Sequence, residues 1–396
     1  MRVLLVTEAS SAGVGRHVID LSSALVDDGH DVHLVYATGR QDEAFREGCA
    51  ALAARAPARF QSNIVEMRRG PHPSDAKALK ALRRIVLEHG PFDVVHGQSS
   101  KGGGLARLMR GARGIEDAAI VYTPHCIYTL NPEASGLKRA LFGRAELWLA
   151  RRSDAIIAVS PSEERHLVEL GIDASIVHCV PNGIRAPRWI DKASARAKLG
   201  LDSDSGSDRV VIGYLARLSK QKNPLLAIEA MARLVKKRGD VVLALAGSGD
   251  LEQEGRALAD RLGLGNAIAW LGYQRPDLVL PASDLFALSS DYEGMPYVYL
   301  EALAAGLPIV TTDVGGAELA IRNRENGIIV ARGDVAGFAA ALEEVVADAA
   351  LRKRMGAASK DLAARFDLEH MLRGTLAVYE AARERRLART ASRSAS

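Results

Sequence analysis

Residues 210–231 read VVIGYLARLSKQKNPLLAIEAM and combine one strand, one turn and the start of one helix. The opening residues are apolar almost without interruption, which is typical of a strand covered on both faces of a parallel sheet. A polar turn follows, and Pro224 stands where a helix commonly begins, because its restricted backbone suits the first helical turn. The stretch therefore predicts one β–α unit of a parallel sheet.

The same unit recurs along both halves of the chain. Apolar runs alternate with stretches of helical period, and these runs are RVLLVTE, DVHLVYA, FDVVHG, AIVYTPH and AIIAVS, then RVVIGYLA, VVLALAG, AIAWLG, DLFALSS and LPIVTT. This alternation predicts an α/β protein with two Rossmann-like, doubly wound parallel-sheet domains. Ligands of such sheets bind beyond the carboxyl ends of the strands, so we expect a site in the cleft between the domains.

A stretch that ends rich in serine, aspartate and glycine separates the two halves. We place the first domain at residues 1–190, a linker at 191–208 and the second domain at 209–366. A long helix is predicted at 367–388. The last residues, 389–396, have no apolar face and are expected to form a mobile tail.

The composition is typical of an ordinary globular protein. The 396 residues are 48% hydrophobic and 25% charged, and a net charge of +4 is too small to argue for nucleic-acid binding. Cys49, Cys126 and Cys179 are too few and too scattered for a disulfide framework or a zinc site. The apolar run at the start is too short for a signal peptide or a membrane span. A cytoplasmic protein is therefore expected.

In the first half, a glycine pair and two histidines mark the ends of strands. Gly13 and Gly15 follow the first strand, where the N–H groups of a starting helix can face an anion. A dinucleotide fingerprint would need a third glycine where Val18 stands, so a nicotinamide cofactor is not indicated. His96 and His125 each end a strand, and for both a ligand contact and a purely local hydrogen-bonding role stay open.

In the second half, two cations and two further loops lie at strand ends. Arg217 and Lys222 precede a predicted helix, and two cations beside a helix N-terminus can hold a diphosphate; a solvated basic turn is the alternative. Gly247 belongs to the glycine-rich turn of LALAGSGD. Tyr273 and Gln274 follow the next strand, where they could lie against a nucleotide base.

Two glutamates stand in the apolar stretch DYEGMPYVYLEALAAGLPIVTT, residues 291–312. Pro296 suits the first turn of a helix, which puts Glu293 in the preceding loop and Glu301 in the second turn. An interaction with the helix dipole would account for Glu293. Glu301 is surrounded by apolar residues and would be costly to bury without a partner, which a ribose with two hydroxyl donors would supply.

Two other patterns carry less weight. Asp202 and Asp204 form the Asp-x-Asp pattern of metal-dependent sugar transfer, but no strand positions them, so we expect no metal site there. Residues 138–152, KRALFGRAELWLARR, predict a basic amphipathic helix that could rest on an anionic membrane. Packing of its apolar face on the sheet is the favoured prediction.

An ordered set of motifs spans nearly the whole chain: VSPSEERHLVELGI, VPNGI, GYLARLSKQKN, LAGSGD and SSDYEGMPYVYLEALAAGLPIV, with the glycine loop near the start. The set resembles the retaining glycosyltransferases of the GT-B fold in family four, which includes bacterial polysaccharide and lipopolysaccharide transferases. This resemblance implies two Rossmann-like domains facing a central cleft, with the donor held mainly by the second and the acceptor by the first. It also implies that the final helix returns to the first domain and that no metal or other cofactor is required.

The resemblance assigns roles to individual residues. Glu293 would contact the donor sugar and Glu301 the ribose, Arg217 and Lys222 would bind the diphosphate, and His125 would approach the sugar. The other donor-site positions are Gly13, Gly15, Gly247, Tyr273, Gln274, Gly294, Met295 and Pro296. Candidate acceptor contacts are His96, Gln98 and Lys101, where Gln98 replaces the second histidine of a pair that relatives often carry.

The activity implied is transfer of a sugar, with retention, from a nucleotide-sugar donor to a glycan or lipid-linked acceptor in cell-surface polysaccharide or lipopolysaccharide synthesis. A UDP-sugar is the favoured donor. A sugar-nucleotide epimerase of similar fold and a non-catalytic nucleotide-sugar sensor stay open as alternatives. No nucleic-acid partner is expected, while peripheral contact with the inner face of the membrane and the oligomeric state stay open.

Overall fold

A computed structural model describes residues 1–185, 187–201 and 209–394, with side chains through residue 390. The chain forms two compact units. The first contains Met1–Gly183 and the chain from Leu368 onward, and the second contains Ile184–Asp367. Asp202 and Asp204, considered above for a metal, lie outside the described residues.

The first unit is built on a seven-stranded parallel sheet. Its strands are β1 Arg2–Thr7, β2 Asp31–Tyr36, β3 Phe60–Ile64, β4 Val94–Gln98, β5 Ala119–Thr123, β6 Ala155–Ala158 and β7 Val177–Cys179. The strand order β3-β2-β1-β4-β5-β6-β7 reverses its direction of winding between β1 and β4. That reversal is the switch point of this sheet.

Helices cover both faces of this sheet. They are α1 Ala12–Asp27, α2 Glu43–Arg55, α3 Asp75–His89, α4 Ser99–Leu108, α5 Gly136–Ala150 and α6 Pro161–Glu169. Val3 and Leu5 of β1 join one apolar cluster, whereas Leu4 and Val6 join another. Because successive side chains of a strand point to opposite faces, two cores form, and this is why the strand is apolar throughout.

The second unit has a six-stranded parallel sheet in the order β10-β9-β8-β11-β12-β13. Its strands are β8 Val210–Leu215, β9 Val241–Ala246, β10 Ile268–Gly272, β11 Leu285–Leu288, β12 Ile309–Thr312 and β13 Gly327–Val330. Its helices are α7 Lys192–Leu199, α8 Pro224–Val235, α9 Glu252–Arg261, α10 Pro276–Ala282, α11 Tyr297–Ala304, α12 Ala317–Ala320, α13 Val335–Ala347 and α14 Ala349–Ala363. The switch point lies between β8 and β11, and the predicted pair of doubly wound parallel-sheet domains is confirmed.

The last helix, α15, spans Leu368–Ser394 and belongs to the first unit. Met371, Leu372 and Tyr379 pack in the same apolar cluster as Val3. The helix continues six residues beyond the predicted end at residue 388, through most of the segment expected to be a mobile tail.

The segment expected as a linker before β8 is partly structured. Ala195 of α7 and Leu201 are buried in one cluster with Val211 of β8. Arg196 donates to the Asp284 carboxylate at 2.6 Å. These contacts make residues 192–201 part of the second unit, because an amphipathic helix buries its apolar side on the nearest uncovered surface.

Candidate active site

The two predicted cations and Glu293 belong to neighbouring loops at the switch point of the second unit. Arg217 and Lys222 follow β8, and Glu293 follows β11. The Lys222 ammonium group forms an ion pair with the Glu293 carboxylate. The Ser290 hydroxyl donates a hydrogen bond of 2.7 Å to the same carboxylate oxygen. The fold therefore brings Lys222 and Glu293 together at the edge where ligands of such sheets bind.

The turn that starts α8 holds Lys222 in place. Asn223 has a φ of 45°, and its side chain caps the helix by accepting a hydrogen bond from the Leu226 N–H at 3.3 Å. The Tyr214 hydroxyl donates to the Lys222 carbonyl at 2.6 Å. The Ser289 hydroxyl donates to the Asn223 carbonyl at 2.7 Å. These bonds restrain the backbone around Lys222 and direct its side chain beside the helix start.

The loop before α11 is tied to the same turn. The Gln221 side-chain amide donates to the Tyr292 carbonyl at 3.1 Å, and the Asn223 amide donates to the Asp291 carboxylate at 3.1 Å. Glu293 itself is only 7% exposed. Loss of Lys222 would leave this carboxylate buried without its counter-charge, which is energetically costly.

Arg217 is exposed, and the turn that carries it packs against the glycine-rich turn after β9. Gly247 has a φ of 140°, and a Cβ at this position would lie 1.9 Å from the Ala216 carbonyl oxygen. The Leu218 N–H donates to the Ser248 carbonyl at 2.9 Å. The glycine is thus required for the close approach of two backbone segments.

Tyr273 and Gln274 lie at the end of β10, two strands from β8 in the sheet. The Tyr273 side chain is 77% exposed. The Gln274 amide donates to the Leu271 carbonyl at 3.1 Å and so helps to hold its own loop. Contact of either residue with a nucleotide base stays a prediction.

Helix α11 begins one residue later than the sequence indicates. Pro296 has a ψ of 129°, which is extended rather than helical, so it caps the helix and Tyr297 is the first helical residue. Glu301 lies in the second turn, as predicted, and is only 3% exposed. The contact of Glu301 with a ribose stays a prediction.

The loop after β12 covers the residues that precede α11. Gly294 and Met295 are buried. A Cβ at Gly316 would lie 2.8 Å from the Met295 Cα, and the Thr312 hydroxyl donates to the Ser290 carbonyl. Sequence reasoning missed this loop, although the paired glycines of DVGGAEL at a strand end resemble the signal used for LAGSGD.

In the first unit, His125 lies in a loop of unusual backbone conformation after β5. His125 and Cys126 have φ values of 55° and 77°, in a region that side chains with a Cβ seldom adopt. The Glu163 carboxylate accepts hydrogen bonds from the N–H groups of Cys126 at 2.7 Å and Ile127 at 2.9 Å. It also accepts one from Val159 at 3.0 Å. A buried carboxylate therefore holds the His125 loop.

Glu163 is a supporting residue that the sequence reasoning missed. It is fully buried, and burial raises the pKa of its carboxyl while the three N–H donors act in the opposite direction. It lies three residues after Ser160, whose hydroxyl accepts from the Glu163 N–H at 3.3 Å. This Ser-x-x-Glu spacing is a capping-box signal. The spacing predicts the helix cap, but it does not predict that the Glu163 carboxylate also binds the N–H groups of the His125 loop.

A chain of buried polar groups supports the His125 ring. Its Nε2 donates to Gln98 Oε1 at 2.7 Å, because a carbonyl oxygen can only accept. The Gln98 amide lies 3.2 Å from Nδ1 of His96. His96 also contacts the hydroxyls of Tyr379 at 2.7 Å and Thr123 at 2.8 Å. His96 and Gln98 are fully buried, so the structure places them behind His125 rather than at a surface that an acceptor could reach.

His17 of α1 completes this group and was also missed by the sequence reasoning. Its ring lies edge-on to His125 with centroids 4.5 Å apart, and its Nδ1 lies 3.1 Å from Asn182 Oδ1. Burial lowers the pKa of His17 to about 4. Burial also lowers the pKa values of His96 and His125 well below the ordinary value. All three imidazoles are therefore neutral near pH 7.

The remaining predicted site residues of the first unit, Gly13, Gly15 and Lys101, belong to helices. Helix α1 already includes Gly13 and Gly15, so they are not in the loop before it as expected. A Cβ at Gly15 would lie 2.9 Å from the Ser10 carbonyl carbon, so this glycine serves close packing. Lys101 is 8% exposed and forms an ion pair with Asp75. The Lys101 ammonium group is therefore engaged by Asp75, and its contact with an acceptor stays a prediction.

Within residues 1–185, 187–201 and 209–394, no group of three or more His, Cys, Asp or Glu side chains is arranged to hold a metal ion. In that same part of the chain, no helix combines the length and apolar character needed to cross a bilayer. Cys49, Cys126 and Cys179, all within the described residues, are not joined in disulfides. Metal independence of the reaction stays a prediction.

Comparison with known proteins agrees with this architecture. Residues 11–188 match Glycosyltransferase Family 4, and residues 198–362 match Glycosyl transferases group 1. A glycogen synthase of Mycobacterium tuberculosis is 30% identical, with 97% of this chain aligned to 95% of that protein. The chain belongs to glycosyltransferase family four.

A second relative and a solved structure are also similar to this family-four glycosyltransferase over most of its length. A UDP-Gal:alpha-D-GlcNAc-diphosphoundecaprenol alpha-1,3-galactosyltransferase of Escherichia coli is 29% identical, over 70% of this chain and 72% of that protein. The crystal structure of Anabaena Alr3699/HepE in complex with UDP and glucose has a TM-score of 0.78 at 20% identity, covering 96% of this chain and 100% of that one. The GT-B fold is thereby confirmed.

Proposed function

We propose that this glycosyltransferase moves a sugar from a nucleotide-sugar donor to a glycan or lipid-linked acceptor in cell-surface polysaccharide synthesis. A UDP-sugar is the favoured donor. The E. coli relative is named for a UDP-sugar donor and a lipid-diphosphate acceptor, and the Anabaena structure contains UDP. The mycobacterial relative is named a glycogen synthase, which supports a glycan as acceptor. We further propose that the enzyme acts in the cytoplasm.

The observation that carries this proposal is the ion pair between Lys222 and Glu293 at the switch point of the second unit. Lys222 precedes Asn223, the residue that caps α8, and Glu293 lies in the loop before α11. Helix N-termini favour anions through their unpaired N–H groups and dipoles. An ammonium group beside such a start, with the exposed guanidinium of Arg217 nearby in sequence, suits a nucleoside diphosphate.

In the proposed reaction, the bond between the anomeric carbon and the diphosphate breaks, and the electron pair leaves with the phosphate. Lys222 and Arg217 stabilise this developing negative charge, which is commonly the largest catalytic contribution. Lys222 exchanges the Glu293 carboxylate for phosphate oxygens, and Glu293 then accepts hydrogen bonds from sugar hydroxyls. Because the cations neutralise the leaving group, the proposed reaction requires no metal and no resident cofactor.

The proposed reaction retains the anomeric configuration of the sugar, because the acceptor hydroxyl attacks the anomeric carbon on the same face that the diphosphate leaves. The departing diphosphate takes the hydroxyl proton, so no protein nucleophile is needed. His125 is neutral, and its Nε2 proton is engaged by Gln98. Its other ring nitrogen is therefore assigned to accept a hydrogen bond from a sugar hydroxyl.

The test compares the wild-type enzyme with Glu293→Gln. Release of UDP and transfer of sugar are measured with UDP-, GDP- and ADP-sugars in the presence of EDTA, with and without oligosaccharide acceptors. We expect wild-type turnover with one donor class and a loss of about 100-fold or more in kcat/KM for the variant. Glu325→Gln is the matched control, because Glu325 is an exposed glutamate of the same unit whose carboxylate lies 3.7 Å from the Arg322 guanidinium.

Each alternative has its own signature. Full activity of Glu293→Gln would contradict the site assignment, and complete loss of wild-type activity in EDTA would contradict metal independence. Formation of an isomeric sugar nucleotide without acceptor would identify an epimerase. Tight donor binding with no turnover across the acceptor panel would identify a sensor.

A further inference from the structure

Helix α5 exposes an apolar strip that the fold does not cover. Leu137, Leu141 and Trp148 are 83%, 65% and 47% exposed. At about 100° per residue they lie within about 40° of one another around the helix, along about 16 Å of its length. In the part of the chain with described side chains, the other exposed large apolar residues each lie in a different helix, strand or loop: Ile64, Leu87, Val168, Leu262, Tyr273 and Leu387.

The opposite side of α5 anchors the helix to the first unit. Gly143, Glu146 and Ala150 are buried. The Glu146 carboxylate accepts a hydrogen bond of 2.8 Å from Arg107, whose side chain is fully buried. Rotation of the helix to hide the strip would break this pair. The prediction that the apolar face of residues 138–152 packs on the sheet is thus wrong for Leu141 and Trp148.

Positive charge surrounds the strip. Within residues 136–152, Lys138, Arg144, Arg151 and Arg152 flank the strip. Arg139 lies on the other side of the helix, where its guanidinium donates to backbone carbonyls of the preceding loop. The acidic residue of this segment is Glu146, which is buried against Arg107. The Arg152 guanidinium stacks at 4.5 Å from the Trp148 ring centroid. The outward surface, called here the α5 face, consists of the strip Leu137, Leu141 and Trp148 and the four flanking cations.

We propose that the α5 face docks on an anionic lipid bilayer. Apolar side chains of a surface helix insert at the boundary of headgroups and acyl chains, and flanking cations bind anionic headgroups. Tryptophan favours this boundary because one part of its ring system is apolar and the N–H is polar. A second copy is a poorer occupant, because four cations would meet four like charges.

This docking would bring the enzyme to the surface where a lipid-linked acceptor resides, and in that respect it deepens the proposed function. Docking itself needs neither donor nor catalysis. Failure to bind vesicles would therefore leave the transferase proposal standing. Conversely, a failed transfer assay would leave the docking proposal intact.

The test is co-sedimentation of the full chain with phosphatidylcholine vesicles, with and without phosphatidylglycerol. We expect binding to the anionic vesicles that weakens with salt, and little binding to phosphatidylcholine alone. The double variant Leu141→Glu/Trp148→Glu is expected to bind at least about tenfold more weakly. Leu262→Glu and Leu387→Glu, which place the same charge at exposed leucines elsewhere, are expected to bind as the wild type does.

Tryptophan emission locates the contact. Trp148 should shift to shorter wavelength on binding, and Trp148→Phe should bind but lose this shift, leaving Trp189 and Trp270 as reporters of an unchanged fold. Unchanged binding of the double variant, or no preference for anionic vesicles, would overturn the proposal. A third outcome would also overturn it: the wild type binds no vesicles but self-associates, and the double variant does not. That result would assign the face to a second copy.

Discussion

At the scale of single residues, the close contact of two backbone segments explains why position 247 is glycine. Gly247→Ala would place a Cβ 1.9 Å from the Ala216 carbonyl oxygen. Neither atom belongs to a flexible side chain, so we expect the free energy of unfolding to fall by about 2 kcal/mol or more. Urea unfolding of the full chain measures this change.

The matched control is Gly333→Ala. Gly333 also has a positive φ, 77°, but a Cβ there would meet nothing within 4 Å. We expect a loss of only about 1–2 kcal/mol, from the backbone conformation alone. Equal losses for the two variants would contradict the role given to the Gly247 contact.

The buried histidine cluster predicts acid sensitivity. The pKa of His17 is lowered to about 4 in the folded chain, compared with 6.5 for the ordinary side chain. Between these pH values the unfolded chain binds a proton that the folded chain does not, so stability falls as the pH falls. For His17 alone the loss reaches about 3 kcal/mol at pH 4. His96 and His125, whose pKa values are lowered as well, add to it.

Urea unfolding of wild type and His17→Gln at pH 7 and pH 4.5 tests this prediction. The variant has lost one titrating group, so its stability should depend less steeply on pH over this interval. An equal dependence in both proteins would show that His17 is protonated to the same extent in the folded and unfolded chains.

At the scale of elements, α15 closes the core of the first unit although it follows the second unit in sequence. Each fully buried leucine or methionine contributes about 1.5–3 kcal/mol, and α15 supplies several. A chain ending at Asp367 should therefore lose the folded first unit, since total stabilities are about 5–15 kcal/mol. A chain ending at Thr390 should keep near-wild-type stability. Thermal unfolding followed by circular dichroism distinguishes them, and a cooperative first unit in the shorter chain would contradict the prediction.

At the scale of the whole molecule, two compact units predict two calorimetric transitions. UDP at about 100 times its Kd should stabilise the unit that binds it by about 2.7 kcal/mol. We expect the shift only in the transition that Gly247→Ala lowers, because that variant marks the second unit. An equal shift in both transitions would contradict donor binding by the second unit alone.

Local patterns in the sequence were sufficient to predict the two sheets. The apolar run Val210–Leu215 predicts a strand buried on both faces, and Asn223–Pro224 predicts a helix start. Both signals depend only on neighbouring residues. Arg217 and Lys222 were predicted from their position between a strand end and a helix start. The role of Glu293 in the site was predicted from the resemblance to family four. Motif order along the chain then indicated the family.

The tertiary structure decided which of these residues meet. The ion pair of Lys222 with Glu293 joins loops 71 positions apart, and the His96–Tyr379 hydrogen bond joins residues 283 positions apart. Local patterns carry no information on such pairs, because strand order and helix docking bring them together. For the same reason, only the packed structure showed that Glu163 holds the His125 loop and that Leu137 and Leu141 of α5 face outward.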